Sequence, residues 1–212
     1  MTRQIKICGI TNEADARLAV RLGAQLLGFN FYEPSPRYIA PADAWAIIEA
    51  LGADSATMVG VFVNASVEAV RQVLSACPLD AVQLHGQESP EQCAETARLG
   101  PEVIKAFRIG RPEDIDDVDR YAVAAVLLDA FREDLYGGTG HQFDWSWVTR
   151  AGQEKVFLAG GIGPDNIAEA LAVGTYGVDL CSGVEAQPGA KDADKMMDLF
   201  SEIARYSHGS CS

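Results

Sequence analysis

The chain has 212 residues, 48% of them hydrophobic, and carries 17 Lys and Arg against 30 Asp and Glu, for a formal net charge of -13. That length and apolar content suit one domain around one substantial core, and the charge argues against a nucleic acid or an anionic membrane surface as partner, since no run of residues supplies the basic patch either would need. No apolar run approaches the roughly 20 residues of a membrane span, and MTRQIK leads into a strand with no signal-peptide core behind it, so a cytoplasmic protein with a small-molecule partner is expected.

In chain order the first predicted strand is QIKIC, from Gln4 to Cys8, followed by an amphipathic helix over NEADARLAVRLG. Further strands are read in LLGFNF (Leu26 to Phe31), TMVGVFV (Thr57 to Val63) and AVQLH (Ala81 to His85). SPEQCAETARLG then predicts a helix, with Ser89, Pro90 and Gln92 as a capping-box start and Gly100 as its stop. EVIKAF (Glu102 to Phe107), a short acidic helix in PEDIDDVDRY, AAVLLDA (Ala124 to Ala130), KVFLAG (Lys155 to Gly160) and GVDLCSG (Gly177 to Gly183) complete the series. LAVRLGAQLLGFNF and EALAVGTYGVDLCSG both run helix, glycine, strand, a faint internal repeat. About eight such βα units, recurring every 20 to 30 residues or so, close into a single-domain (β/α)8 TIM barrel, whereas an open doubly wound sheet more often uses fewer. The barrel is assigned to residues 1–207, and 208–212 to a frayed tail.

Alternate side chains of a barrel strand face inward. Setting Ile5 and Ile7 against the helices leaves Lys6 and Cys8 facing the barrel; the same parity sends Gln83 and His85 inward from AVQLH and Asp129 inward from AAVLLDA. Polar groups are costly to bury unpaired, so Lys6, Lys105, Asp129 and Asp179 are expected in one hydrogen-bonded network near the mouth. Cys8, His85, Asp129 and Ser182 each end a strand at its carboxyl side, where barrels of this kind place catalytic groups. Singly each has a plainer reading: His85 as a structural histidine, Asp129 as a cap. The five cysteines, at 8, 77, 93, 181 and 211, fit neither a disulfide framework nor a zinc site and read as free thiols. Any one of them is by default a small buried apolar residue.

FLAGGIGPDNI and GVDLCSGVEA are glycine-rich turns after the last two strands, where backbone N–H groups can approach a phosphate. Gly160, Gly161, Ser182 and Gly183 are the candidates. YGGTGHQFDW lacks the context of a nucleotide-binding fingerprint and reads as a lid or extra wall. Arg37, in a loop stiffened by Pro34 and Pro36, suits a substrate carboxylate or else solvent.

KICGIT, GFNFYEPSPRYI, VGVFVN, VQLHG, LLDA, YGGTGHQFDW, LAGGI and VDLCSGVE, in that order, resemble the phosphoribosylanthranilate isomerases of tryptophan biosynthesis over nearly the whole chain. The resemblance implies an Amadori rearrangement of N-(5-phospho-β-D-ribosyl)anthranilate to 1-(2-carboxyphenylamino)-1-deoxyribulose 5-phosphate, with no cofactor or metal. It also implies Cys8 as general base, Asp129 as general acid and Arg37 on the anthranilate carboxylate. Gln83, His85, Gly138, Gly140 and Asp179 are the further substrate contacts, and Cys181 joins the phosphate loop where a serine would be expected. Cations such as Lys6 or Arg37 would favour the Cys8 thiolate. A monomer is expected, with a dimer as the alternative. The rival readings are a related histidine-pathway or dual-specificity aminoaldose isomerase, disfavoured by the cysteine ending the first strand, and a noncatalytic phosphosugar-binding barrel.

Overall fold

The computed structural model describes residues 3–52, 55–130 and 144–209. Eight parallel strands close into a barrel in chain order: β1 (Gln4–Cys8), β2 (Leu26–Asn30), β3 (Thr57–Phe62), β4 (Ala81–Leu84), β5 (Glu102–Ile109), β6 (Ala125–Ala130), β7 (Val156–Leu158) and β8 (Gly177–Leu180). Closure comes from β1, which pairs β2 on one side and β8 on the other. The helices are α1 (Glu13–Leu22), α2 (Pro41–Leu51), α3 (Val67–Ala76), α4 (Pro90–Ala97), α5 (Ile167–Ala172) and α6 (Ala193–Gly209), and a small antiparallel hairpin of β9 (Glu185–Gln187) and β10 (Ala190–Lys191) follows β8. Among the described residues no helix is long and apolar enough to cross a membrane.

The alternation read from the sequence sorts the core into two. Ile5, Ile7, Val126 and Leu128 belong to the layer between strands and helices, while Leu26, Val59, Ile104, Leu127 and Phe157 fill the barrel. Each fully buried side chain of this size contributes about 1.5–3 kcal/mol. Asn12 caps α1 by accepting from the Asp15 N–H, and Gly23 ends it in the left-handed region at φ 108°, which glycine adopts without a Cβ penalty.

Several expectations are corrected in detail. Lys105 does not join the network at the mouth: Ile104 and Ala106 take the barrel side of β5, so Lys105 points outward and donates to Glu88 Oε2 at 2.8 Å and to the carbonyls of Leu84, Gly86 and Ala106. Ser89 caps α4, but Gln92 does not complete a capping box; its amide reaches across to the Ala65 carbonyl. The acidic stretch after β5 forms two 3-10 turns, Pro112–Ile115 and Val118–Arg120. There the Asp114 carboxylate accepts from the Gly110 and Arg111 backbone, a local bond that competes with an α-helix. α6 runs to Gly209, into the segment expected as a tail.

Candidate active site

A single cavity at the carboxyl ends of the strands is lined by Cys8, Arg37, Gln83, His85, Asp129 and Asp179. Gly160, Gly161, Cys181, Ser182 and Gly183 form its wall on the β7–β8 side. The geometry therefore brings together every expected site residue except Gly138 and Gly140, which lie outside the described residues with most of YGGTGHQFDW.

β1 supplies Lys6 and Cys8 to the same face. Lys6 is fully buried and donates to Asp179 Oδ1 at 2.8 Å. Gly28 on β2 is the register partner of Cys8, and a Cβ there would lie 2.8 Å from the Cys8 sulfur and 3.2 Å from Lys6 Nζ, so this strand glycine makes room for both. Burial works against the Lys6 charge, but Asp179 and Cys8 hold its pKa above the usual lysine range. Lys6 is one cation serving two acids. Burial, with the charges of Cys8 and Asp129 added, pushes Asp179 up to about 6 despite Lys6. Cys8 is held well below the ordinary thiol range, first by a hydrogen bond from Cys181 and then by Lys6 and Lys191, against the cost of burial. Cys181 moves the opposite way, upward, because it shares that hydrogen bond and is buried.

Across the barrel, Gln83 Nε2 lies 3.0 Å from His85 Nδ1. With the Gln83 amide donating, His85 carries its proton on Nε2, which faces Asp129 Oδ2 at 3.3 Å but off the line of a good hydrogen bond. Gln83 Oε1 is buried with no protein partner among the described residues. Buried polar groups are ordinarily satisfied, so this wall of the cavity has hydrogen-bonding capacity that the described residues leave unused.

On the other wall, Gly160 and Gly161 are both left-handed, at φ 94° and φ 63°, turning the chain sharply after β7. Gly183 begins so close to the β7 loop that a Cβ would collide with the Ile162 carbonyl, which locks the two loops side by side. Among the described residues the backbone N–H groups of Gly161, Ser182 and Gly183 donate to no protein acceptor.

Arg37 is not a free loop cation. Its Nε and Nη2 bind the Glu185 carboxylate as a fork, at 2.9 Å to Oε1 and 2.7 Å to Oε2, leaving Nη1 without a partner among the described residues. Glu185 also accepts from Lys191 Nζ at 3.0 Å, and Lys191 donates to the Cys8 carbonyl at 2.6 Å. Gly28, Glu185 and Lys191 were missed by sequence reasoning. A glycine inside a strand, at the register position facing Cys8, was the available signal for Gly28; Lys191 returns on a hairpin that no local pattern announces.

The profile of the N-(5'phosphoribosyl)anthranilate (PRA) isomerase family matches residues 5–202. The chain is 47% identical over 206 residues to the N-(5'-phosphoribosyl)anthranilate isomerase of Citrifermentans bemidjiense, covering 96% of this chain and 98% of the relative. Its fold is similar to the crystal structure of the phosphoribosyl anthranilate isomerase of Thermus thermophilus, with a TM-score of 0.86, 42% identity, and coverage of 95% and 98% of the two chains. A further phosphoribosyl anthranilate isomerase, solved in complex with reduced 1-(o-carboxyphenylamino)-1-deoxyribulose 5-phosphate, superposes with a TM-score of 0.83 at 36% identity over 96% of this chain and 99% of that one. With a matching family profile across the barrel and relatives of this identity over nearly its full length, the chain belongs to the N-(5'-phosphoribosyl)anthranilate isomerase family.

Proposed function

We propose that this chain rearranges N-(5-phospho-β-D-ribosyl)anthranilate to 1-(2-carboxyphenylamino)-1-deoxyribulose 5-phosphate in the cytoplasm, as a monomer, with Asp129 as general acid and Cys8 as general base. The observation that carries the reading is that Cys8, from β1, and Asp129, from β6, line one cavity, with the glycine loops after β7 and β8 between them in the barrel order. Asp129 delivers a proton to the furanose ring oxygen as the C1–O bond breaks, giving the open-chain Schiff base. The Cys8 thiolate then takes the C2 proton, and the resulting enolamine tautomerises to the ketone. Both steps are proton transfers, each of a kind worth typically 10²–10⁴-fold.

The lowered thiol pKa of Cys8 fits a base, held down by the Cys181 thiol first and by Lys6 and Lys191 after it. Backbone N–H groups of Gly160, Gly161, Cys181, Ser182 and Gly183 would receive the phosphate. Glu185 fixes the Arg37 plane so that Nη1 faces the anthranilate carboxylate. Gln83, His85 and Asp179 contact the sugar. The test is the fluorescence of phosphoribosylanthranilate generated in situ, which decays when the chain is added; running the histidine-pathway aminoaldose in parallel separates a dual-specificity enzyme. Cys8→Ala and Asp129→Asn should each lower kcat by about 10²–10⁴-fold with the fold intact by circular dichroism. Near-wild-type turnover by either variant removes that residue from its role.

A further inference from the structure

We propose that Cys8 and Cys181 together form a reversible oxidation site for small hydroperoxides, in which Cys8 is the thiol that is oxidised and Cys181 resolves it as a disulfide. The parallel register of β1 and β8 sets Lys6 opposite Asp179 and Ile7 opposite Leu180, so the next residues along are Cys8, the last of β1, and Cys181, the first residue after β8. Neighbouring strands lie about 4.7–4.9 Å apart, inside the Cα separation of about 4.4–6.8 Å that a disulfide spans. The Lys6–Asp179 bond shows that side chains at this register share the barrel face. Lys191 Nζ reaches both carbonyls, at 2.6 Å to Cys8 and 3.4 Å to Cys181, which ties the two backbones together beyond the end of the ladder. Between them, a Cβ on Gly9 would lie 3.2 Å from the Cys181 sulfur. Both residues line the cavity, so a small oxidant reaches them from solvent.

The electrostatics divide the roles. Cys8 is the thiolate of the pair, stabilised by the thiol of Cys181 and the charges of Lys6 and Lys191, and the thiolate is the form that attacks. In the first step its sulfur bonds to the distal oxygen as the O–O bond breaks; Cys8 becomes a sulfenic acid and the hydroperoxide leaves as alkoxide, protonated by solvent to the alcohol. In the second, the Cys181 sulfur displaces the sulfenic oxygen, which departs with the thiol proton as water, and an S–S bond forms. A dithiol reverses the modification. Cys77 and Cys93 provide an internal comparison: both are buried away from the cavity, with thiols pushed up to about 11 by burial. Loss of turnover on oxidation is the one consequence that rests on Cys8 as the base.

The test treats the full chain with hydrogen peroxide, blocks free thiols, and maps peptides by mass. The expected product is two hydrogens lighter, with Cys8 linked to Cys181 and Cys77 and Cys93 still reduced, and dithiothreitol restores the original mass. In Cys181→Ser the linkage is absent and Cys8 proceeds to sulfinic acid. If Cys8 of the wild type accumulates sulfinic acid as fast as in Cys181→Ser, or links to any other cysteine, the inference is overturned, and wild-type mapping decides this even if the variant folds poorly. A parallel turnover assay separates the two readings: a linked protein that still isomerises substrate keeps the oxidation site and removes Cys8 as base.

Discussion

Two buried lysine–carboxylate pairs sit on opposite faces of the same sheet. Lys105–Glu88 and Lys6–Asp179 both close at 2.8 Å with side chains at most 8% exposed. Outside the barrel, Lys105 has three carbonyl acceptors besides Glu88, and Glu88 also accepts from the Asn64 and Gly86 backbone. The Glu88 pKa accordingly falls: burial opposes this, but Lys105 and the N–H donors outweigh it. Inside the barrel, Lys6 serves Asp179 and Cys8 at once, and Asp179 rises to about 6. The saturated pair locks the loops after β3 and β4 in place, whereas the undersupplied one leaves protonation states poised to change. A buried ion pair by itself indicates neither stability nor function; the count of its other partners distinguishes the two.

The largest effect is expected at the saturated pair. Lys105→Met strands the Glu88 charge among backbone donors and should cost about 3–5 kcal/mol in urea unfolding, with the pH profile of turnover unchanged in the folded fraction; a cost under about 1 kcal/mol would mean the pair is not what holds these loops. Lys6→Met should act mainly on chemistry. Asp179 can take up a proton when its cation is lost, while the Cys8 thiol loses its nearest counter-charge, so turnover at neutral pH should fall about 10–100-fold and its acid limb move up by about one to two pH units. An unmoved acid limb would exclude Lys6 as the group that tunes Cys8.

Acid and alkali should act on the two pairs with opposite sign. Glu88 has a folded pKa below its ordinary value, so its contribution is complete above an unfolded pKa of about 4.3 and is lost as pH falls through the folded value. Asp179 is raised from 3.8 to about 6, so its contribution is complete below the unfolded value and is lost as pH rises through about 6. Unfolding curves at about pH 4 and pH 8 should therefore show wild type losing ground to Asp179→Asn at the higher pH; parallel curves would contradict the shift. The smallest effect is expected at the exposed Arg17–Glu13 pair on α1, where Glu13→Gln should change stability by about 0.3–0.5 kcal/mol. A larger change there would show that surface charge matters more in this acidic chain than its exposure implies.

The same contrast explains what could be read from the sequence. In QIKIC and LLDA, apolar residues alternate with polar ones, and period two assigns Lys6, Cys8 and Asp129 to the barrel side. EVIKAF offers apolar residues on both sides of Lys105, so parity was ambiguous and the lysine was placed on the wrong face. Arg37 was found by its loop, but its fork with Glu185 joins residues 148 positions apart, and no spacing rule reaches that far. The glycine turns after β7 and β8 were visible as composition; their mutual packing at Gly183 and Ile162 was not.

By itself the sequence determined the number of βα units, the face that each alternating strand turns inward, and the chemical types gathered at the strand ends, because these follow from local periodicity and from where polar side chains are costly to bury. Only the tertiary structure decided which acid each buried lysine serves, that Lys191 returns beneath Cys8, and that Cys181 stands beside it at the closing seam of β1 and β8. Those relations depend on barrel closure, which makes neighbours of the two ends of the chain and sets their charges in one low-dielectric space where each partner shifts the others.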